Sequence, residues 1–124
     1  MATDNNVSLV TAAAGADLST KQFFLVKSGT TAGQVVLAGA GEDALGVLYE
    51  PAAAAGRAVA VGVGGVMRAY AGGTVAIGAR VASSADGEIV AATAGDYVLG
   101  VAKTAGVDGS LIEIYWDKNG VEPA

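Results

Sequence analysis

Three carboxylates come nearest to chemistry in this 124-residue sequence: Glu42, Asp43 and Asp96. Glu42 and Asp43 form a carboxylate pair, the residue type that hydrolyses glycosides. That reaction needs two carboxyls facing each other across a cleft at a set separation, and neighbours on one turn do not provide it. The same three acids are hard-cation ligands by type, but their spacing matches no calcium-loop pattern. The stretch GAGEDALG (39–46) is similar to a glycine-rich phosphate loop. It lacks the Lys-Ser/Thr ending, and no helical stripe follows it. Serine and threonine are plentiful, but with no histidine a Ser-His-Asp triad cannot be assembled, and no motif supports a Ser–Lys pair. With no cysteine there is no thiolate, no disulfide framework and no thiol catalysis. The residues therefore predict a protein that is not an enzyme and has no metal and no cofactor.

The charge balance narrows the partners. Twelve acids face seven bases, for a net charge of −5. The bases Lys21, Lys27, Arg57, Arg68, Arg80, Lys103 and Lys118 are scattered singly, so there is no basic patch to neutralise phosphates, and nucleic acid is not expected as a partner. The aromatics, Phe23, Phe24, Tyr49, Tyr70, Tyr97, Tyr115 and Trp116, lack the surrounding positive charge of a base-stacking platform. They are read as core or interface anchors. The most apolar stretch, PAAAAGRAVAVGVGGVM, is shorter than a bilayer span and broken by Arg57, so no membrane segment is expected. The start, MATDNNVSLV, does not read as a signal peptide, and synthesis in a cytoplasm is the expectation.

The elements that would carry these residues are strands. Val59, Val61 and Val63 alternate onto one face, as do Ile112, Ile114 and Trp116 with Glu113 turned away. Period two with β-branched residues marks half-buried strands. Further strands are predicted at 7–10, 22–27, 34–38, 44–49, 65–70, 80–82, 88–92 and 97–103, most of them separated by turns bearing Gly or Asp. The alanine run 52–55 has room for one helical turn between Pro51 and Gly56. The class is all-β: a small barrel or sandwich. The expected organisation is an extended N-terminal arm (1–21), ordered only if something holds it, one β domain (22–118), and a plain tail (119–124).

The sequence also repeats. Shifted by 54 positions, GAGEDALGV meets TAGDYVLGV: Gly41 falls on Gly95, Glu42 on Asp96, and Leu45-Gly46-Val47 on Leu99-Gly100-Val101. Gly33/Gly87, Val36/Val90 and Ala38/Ala92 continue the match. After a one-residue gap, Val59, Val61 and Val63 meet Ile112, Ile114 and Trp116, so the inward face stays in register. Two pseudo-repeated halves, about 23–63 and 77–116, are expected to pack together. Gly41 and Gly95, each beside an acid, suit tight turns. Gly46 and Gly100 interrupt strands, which marks a bulge, a barrel corner or a close backbone approach.

The run DGEIVAATAGDYVLGVAKTAGVDGSLIEIYW and its echo AGQVVLAGAGEDALGVLYEPAAAAGRAVAVGV resemble the capsid cement, or head decoration, proteins of tailed bacteriophages, over about residues 20–118. The resemblance implies a structural virion protein without an active site, made in the host cytoplasm and seated on the capsid exterior. It implies binding to the major capsid protein and a homo-oligomer, a trimer by preference. Several modest contacts made by one oligomer would add through effective concentration. The arm is then the candidate grip, with Val7, Leu9 and Val10 as contact residues that could add a strand to a capsid edge or a neighbouring copy. A tail or fibre β module of a phage is a second reading. A biotinyl or lipoyl carrier domain is a third, and it fails at the lysine: Met67 precedes Arg68, and Lys103 lies inside a strand rather than at a hairpin tip.

Overall fold

Small alternating residues and closely spaced turns produce ten short strands in a computed structural model, which describes residues 7–118 and 120–123. They are β1 (Ser8–Ala14), β2 (Leu25–Ser28), β3 (Gln34–Leu37), β4 (Gly46–Glu50), β5 (Ala58–Gly64), β6 (Val66–Tyr70), β7 (Arg80–Ser83), β8 (Ile89–Ala91), β9 (Gly100–Ala102) and β10 (Leu111–Trp116). No helix occurs among the described residues, and the alanine run after Pro51 passes through bends and turns into β5. Gly56, at φ +87°, stops any helix there.

The first five strands close into a barrel in the order β1-β3-β2-β4-β5. The last five form a sheet in the order β6-β10-β9-β7-β8, drawn round on itself by a parallel bridge between Ala71 and Ile89. The two units have one wiring. Val26 opposite Gly46 in the first is Val81 opposite Gly100 in the second. Ser28 opposite Val35 becomes Ser83 opposite Ile89. Thr11 opposite Ala60 becomes Arg68 opposite Glu113. The parallel pair Ala14–Val35 becomes Ala71–Ile89. The closing hydrogen bonds match as well, Gly15 N–H to Val35 O and Gly72 N–H to Ile89 O, both 2.8 Å.

The repeat is therefore wider than the halves expected at 23–63 and 77–116, because β1 and β6 are its first strands. Residues 8–14, expected within an arm that something must hold, are held by the chain itself as a stave between β5 and β3. Burial causes this: Ala14 and Leu18 complete the barrel interior. The tail expected to be plain is also paired over its described part. Val121 bridges Tyr97, and Glu122 exchanges backbone hydrogen bonds with Gly95 and Asp96.

The interiors are equivalent position by position. The first barrel is filled by Ala14, Leu18, Val26, Val35, Leu48, Val59 and Val61. Their counterparts Ala71, Val75, Val81, Ile89, Ala102, Ile112 and Ile114 fill the second unit. The second cluster also takes in Leu25, Ala38, Ala44 and Val47 from the first unit, so the units share a core. An aromatic group pins this seam. Phe23 packs edge-on against Tyr49 at 5.3 Å and against Tyr70 at 6.4 Å, and Phe24 lies 5.8 Å from Tyr70. Tyr70 N–H donates to Phe23 O and Arg68 N–H to the Tyr49 hydroxyl, so the outer edge of β6 is closed by the first unit. Phe23 reaches this position at φ +67°, where Gly78 stands in the second unit at φ +82°.

Candidate interaction surface

Glu42, Asp43 and Asp96 are all engaged in holding turns or pairing with lysines. The Glu42 carboxylate accepts the Gly39 N–H at 2.6 Å, closing its own turn, and pairs with the Lys27 ammonium at 2.8 Å. Asp96 does the same 54 residues on, accepting the Thr93 N–H and hydroxyl, each at 3.0 Å. Asp43 pairs with Lys118 at 2.6 Å. Each repeated acid therefore closes the turn that its glycine occupies, 39–42 around Gly41 and 93–96 around Gly95. Among the described residues, no three His, Cys, Asp or Glu side chains converge as a metal site.

The four repeated glycines divide into two kinds. Gly41 and Gly95 have φ of +66° and +92°, the left-handed region of a tight turn. The first turn also packs on the second: a Cβ on Gly41 would run into the Asp96 carboxylate, and Gly41 O accepts the Tyr97 N–H at 3.1 Å. Gly46 and Gly100 have no positive φ. A Cβ on Gly46 would lie on the Gly62 carbonyl oxygen, and one on Gly100 on the equivalent Tyr115 carbonyl oxygen. At these points the β4 and β9 backbones press against the next strand.

Carboxyl titration divides these acids by sign. The Lys27 hydrogen bond first, then the Gly39 N–H, holds the Glu42 carboxyl below its ordinary value of 4.5. A lowered pKa gives stability that is present above the unfolded value and lost as pH falls through the folded one. Burial first, then the nearby Asp108 and Asp86 carboxylates, raises the Glu88 carboxyl above 4.5, against a smaller opposing pull from Lys21. Its ionised form therefore costs stability at neutral pH, and protonation relieves the cost as pH falls through the raised value. Glu42→Gln is expected to melt lower than wild type at pH 7, with the difference vanishing in acid. Glu88→Gln is expected to melt higher at pH 7, with its gain fading on acidification. Thermal melts from pH 7 to pH 3 check both signs.

What remains for function is surface. Of the three candidate contact residues, Val7 is half-buried against the shared core, while Leu9 is 54% and Val10 43% exposed. Over Leu9–Thr11, β1 pairs with β5 on one side only, and β3 joins it only at Ala13 and Ala14. A groove of about 280 Å³ runs along that second side, between β1 and the turn joining β2 to β3. Tyr97, Leu111, Tyr115 and Val121 are further exposed apolar side chains on the second unit. The aromatic pins Phe23, Tyr49 and Tyr70 escaped assignment to a seam because their partners lie across the repeat boundary. Phe23 has no counterpart in chemistry at Gly78 that would have flagged it.

No family model matches the chain, and no curated protein matches it. Among solved structures, the fold is similar over most of its length to the head fiber gp8.5 N base of bacteriophage phi29. The TM-score is 0.75 at 17% identity, covering 94% of this chain and 98% of that one, a likeness of fold.

Proposed function

We propose that the chain is a structural virion protein of a phage, with no catalytic role, that sits on the outer surface of the capsid and binds the major capsid protein. A trimer is the proposed working form. The observation that carries the reading is the likeness of fold, over most of the chain, to a phage head-fiber base, joined to the sequence resemblance to head decoration proteins. The groups that could do chemistry support it, since the repeated acids and glycines are taken up by turns and close strand contacts. Such a scaffold acts by presenting surface, and several weak contacts from one oligomer suffice for stable attachment. The same likeness favours a second reading, in which the chain is the base module of a fibre rather than a cement subunit.

The test is addition of purified chain to mature particles that lack it, followed by sedimentation and image reconstruction. Saturable density on the capsid shell, in threefold clusters, is the expected result. Density confined to the foot of a projecting fibre would select the second reading. Absence from particles would overturn both.

A further inference from the structure

The open edge of β1 has an internal control, because the second unit contains the same edge closed. Val10, Ala12 and Leu45 line the groove and are partly exposed. Their counterparts Met67, Ala69 and Leu99 are fully buried, in the cluster shared with the first unit. Thr11 corresponds to Arg68, whose N–H is taken by the Tyr49 hydroxyl. Ala13 corresponds to Tyr70, and its N–H already goes to Gly33 O at 2.9 Å, away from β5. Alternation along an antiparallel ladder therefore turns the Thr11 N–H and C=O away from β5, toward the groove.

We propose that the groove beside Thr11 is a strand-addition site for an extended, uncharged segment of a different protein. This rests on the reading of the chain as a binding scaffold and names the chemistry of what it binds. Main-chain hydrogen bonds to Thr11 would supply part of the affinity, and alternate small apolar side chains would settle over Val10, Ala12 and Leu45. None of the eleven residues lining the groove is charged, which on desolvation grounds disfavours a charge at the positions of the segment that face the groove. A second copy cannot offer the face that seals the equivalent edge internally. The face that seals this edge internally presents Phe23, Tyr49, Leu25 and Val47, and it is already spent within each chain. The equivalent positions on the second unit are Gly78, Lys103, Arg80 and Val101, which carry two charges and no ring. Arg80 pairs there with Glu122 and Lys103 with Glu113.

The test titrates the full chain with an acetylated, amidated heptapeptide alternating valine and threonine, and with a control alternating glutamate and lysine, which is charged on both faces. Amide resonances and hydrogen exchange are followed. The Thr11 amide is expected to shift and to exchange about ten-fold more slowly with the first peptide, while Ala12, already in the ladder, holds still. Thr11→Pro deletes the outward N–H of an edge position and leaves the β5 ladder bonds in place. It is expected to weaken binding about ten-fold. Val10→Glu, a second variant at an exposed side chain, is expected to do the same.

Equal binding of the charged peptide, an unmoved Thr11 amide, or undiminished binding by both variants would overturn the inference. So would a Thr11 shift that follows protein concentration alone, which would make the occupant a second copy. Particle binding separates this from the proposed function. If neither peptide moves the Thr11 amide but the chain decorates particles, the capsid reading stands and this one falls. If the chain takes the peptide at Thr11 but never decorates particles, the reverse holds.

Discussion

Replacing Gly46 or Gly100 by alanine is expected to destabilise the chain by about 3 kcal/mol, the upper end of the cost of overfilling a packed interior. In a domain of this size that lowers the melting temperature by about 10 °C. The added Cβ has nowhere to go, since the atom it meets is a backbone carbonyl oxygen, of Gly62 in one unit and Tyr115 in the other. A backbone oxygen inside a ladder cannot rotate aside as a side-chain tip does. Relief requires β4 to lift from β5, or β9 from β10, which breaks the pairs Val47–Gly62 and Val101–Tyr115. Gly33 and Gly109 make the control. Both have positive φ, +79° and +87°, and open space where a Cβ would stand. Alanine there costs only the left-handed backbone, about 1 kcal/mol. If Gly46→Ala and Gly100→Ala melt no lower than Gly33→Ala, the close-approach account of the repeated Leu-Gly-Val triplet is wrong.

This contrast also shows what the sequence could display. The period-two runs at Val59–Val63 and Ile112–Trp116 exposed their strands directly, because every second residue is a large or branched apolar one. The repeated Gly46 and Gly100 announced a special backbone position, and only the structure distinguishes a bulge from a strand contact. β1 and β6 were not legible as repeats. Ser8–Ala14 and Val66–Tyr70 share almost no side chains, and they are offset by 57 positions, whereas β3 and β8 are offset by 54. Loops of unequal length moved the frame while the ladders kept it. The place of residues 8–14 in the barrel was not legible for a related reason. A strand was legible at 7–10, but not that it runs on to Ala14 as a barrel stave, because the burial comes from Ala14 and Leu18 closing a barrel whose other walls lie up to fifty residues away. The seam was hidden by conformation, since no pattern announces that Phe23 will sit at φ +67°. On the candidate surface, Leu9 and Val10 were visible as apolar residues near the start. That one side of their strand stays open is a property of the pairing alone.

Leu48→Ala is expected to cost about 3 kcal/mol, and importing the second unit's interior around it is expected to return most of that loss. Leu48 is fully buried in the first barrel, and its counterpart in the second unit is Ala102, also buried. Around Leu48 stand Val35, Val59 and Val61, where the second unit has Ile89, Ile112 and Ile114. The three carbons missing at Ala102 are thus restored one at each of three isoleucines, so at these four positions the two interiors hold the same hydrocarbon in different places. Close packing demands this, because a cavity left by leucine forfeits contacts on every side. The single variant should open such a cavity. The quadruple variant Leu48→Ala, Val35→Ile, Val59→Ile, Val61→Ile should refill it with an arrangement the same backbone already accepts fifty-odd residues later. The three Val→Ile changes made without Leu48→Ala should overfill the barrel and destabilise it by about 1–3 kcal/mol. Chemical denaturation of the three proteins settles the matter: a quadruple variant less stable than Leu48→Ala would mean that the units share a ladder without sharing an interior. Recovery would identify interior volume, conserved in sum and not residue by residue, as what ties the two copies to one fold.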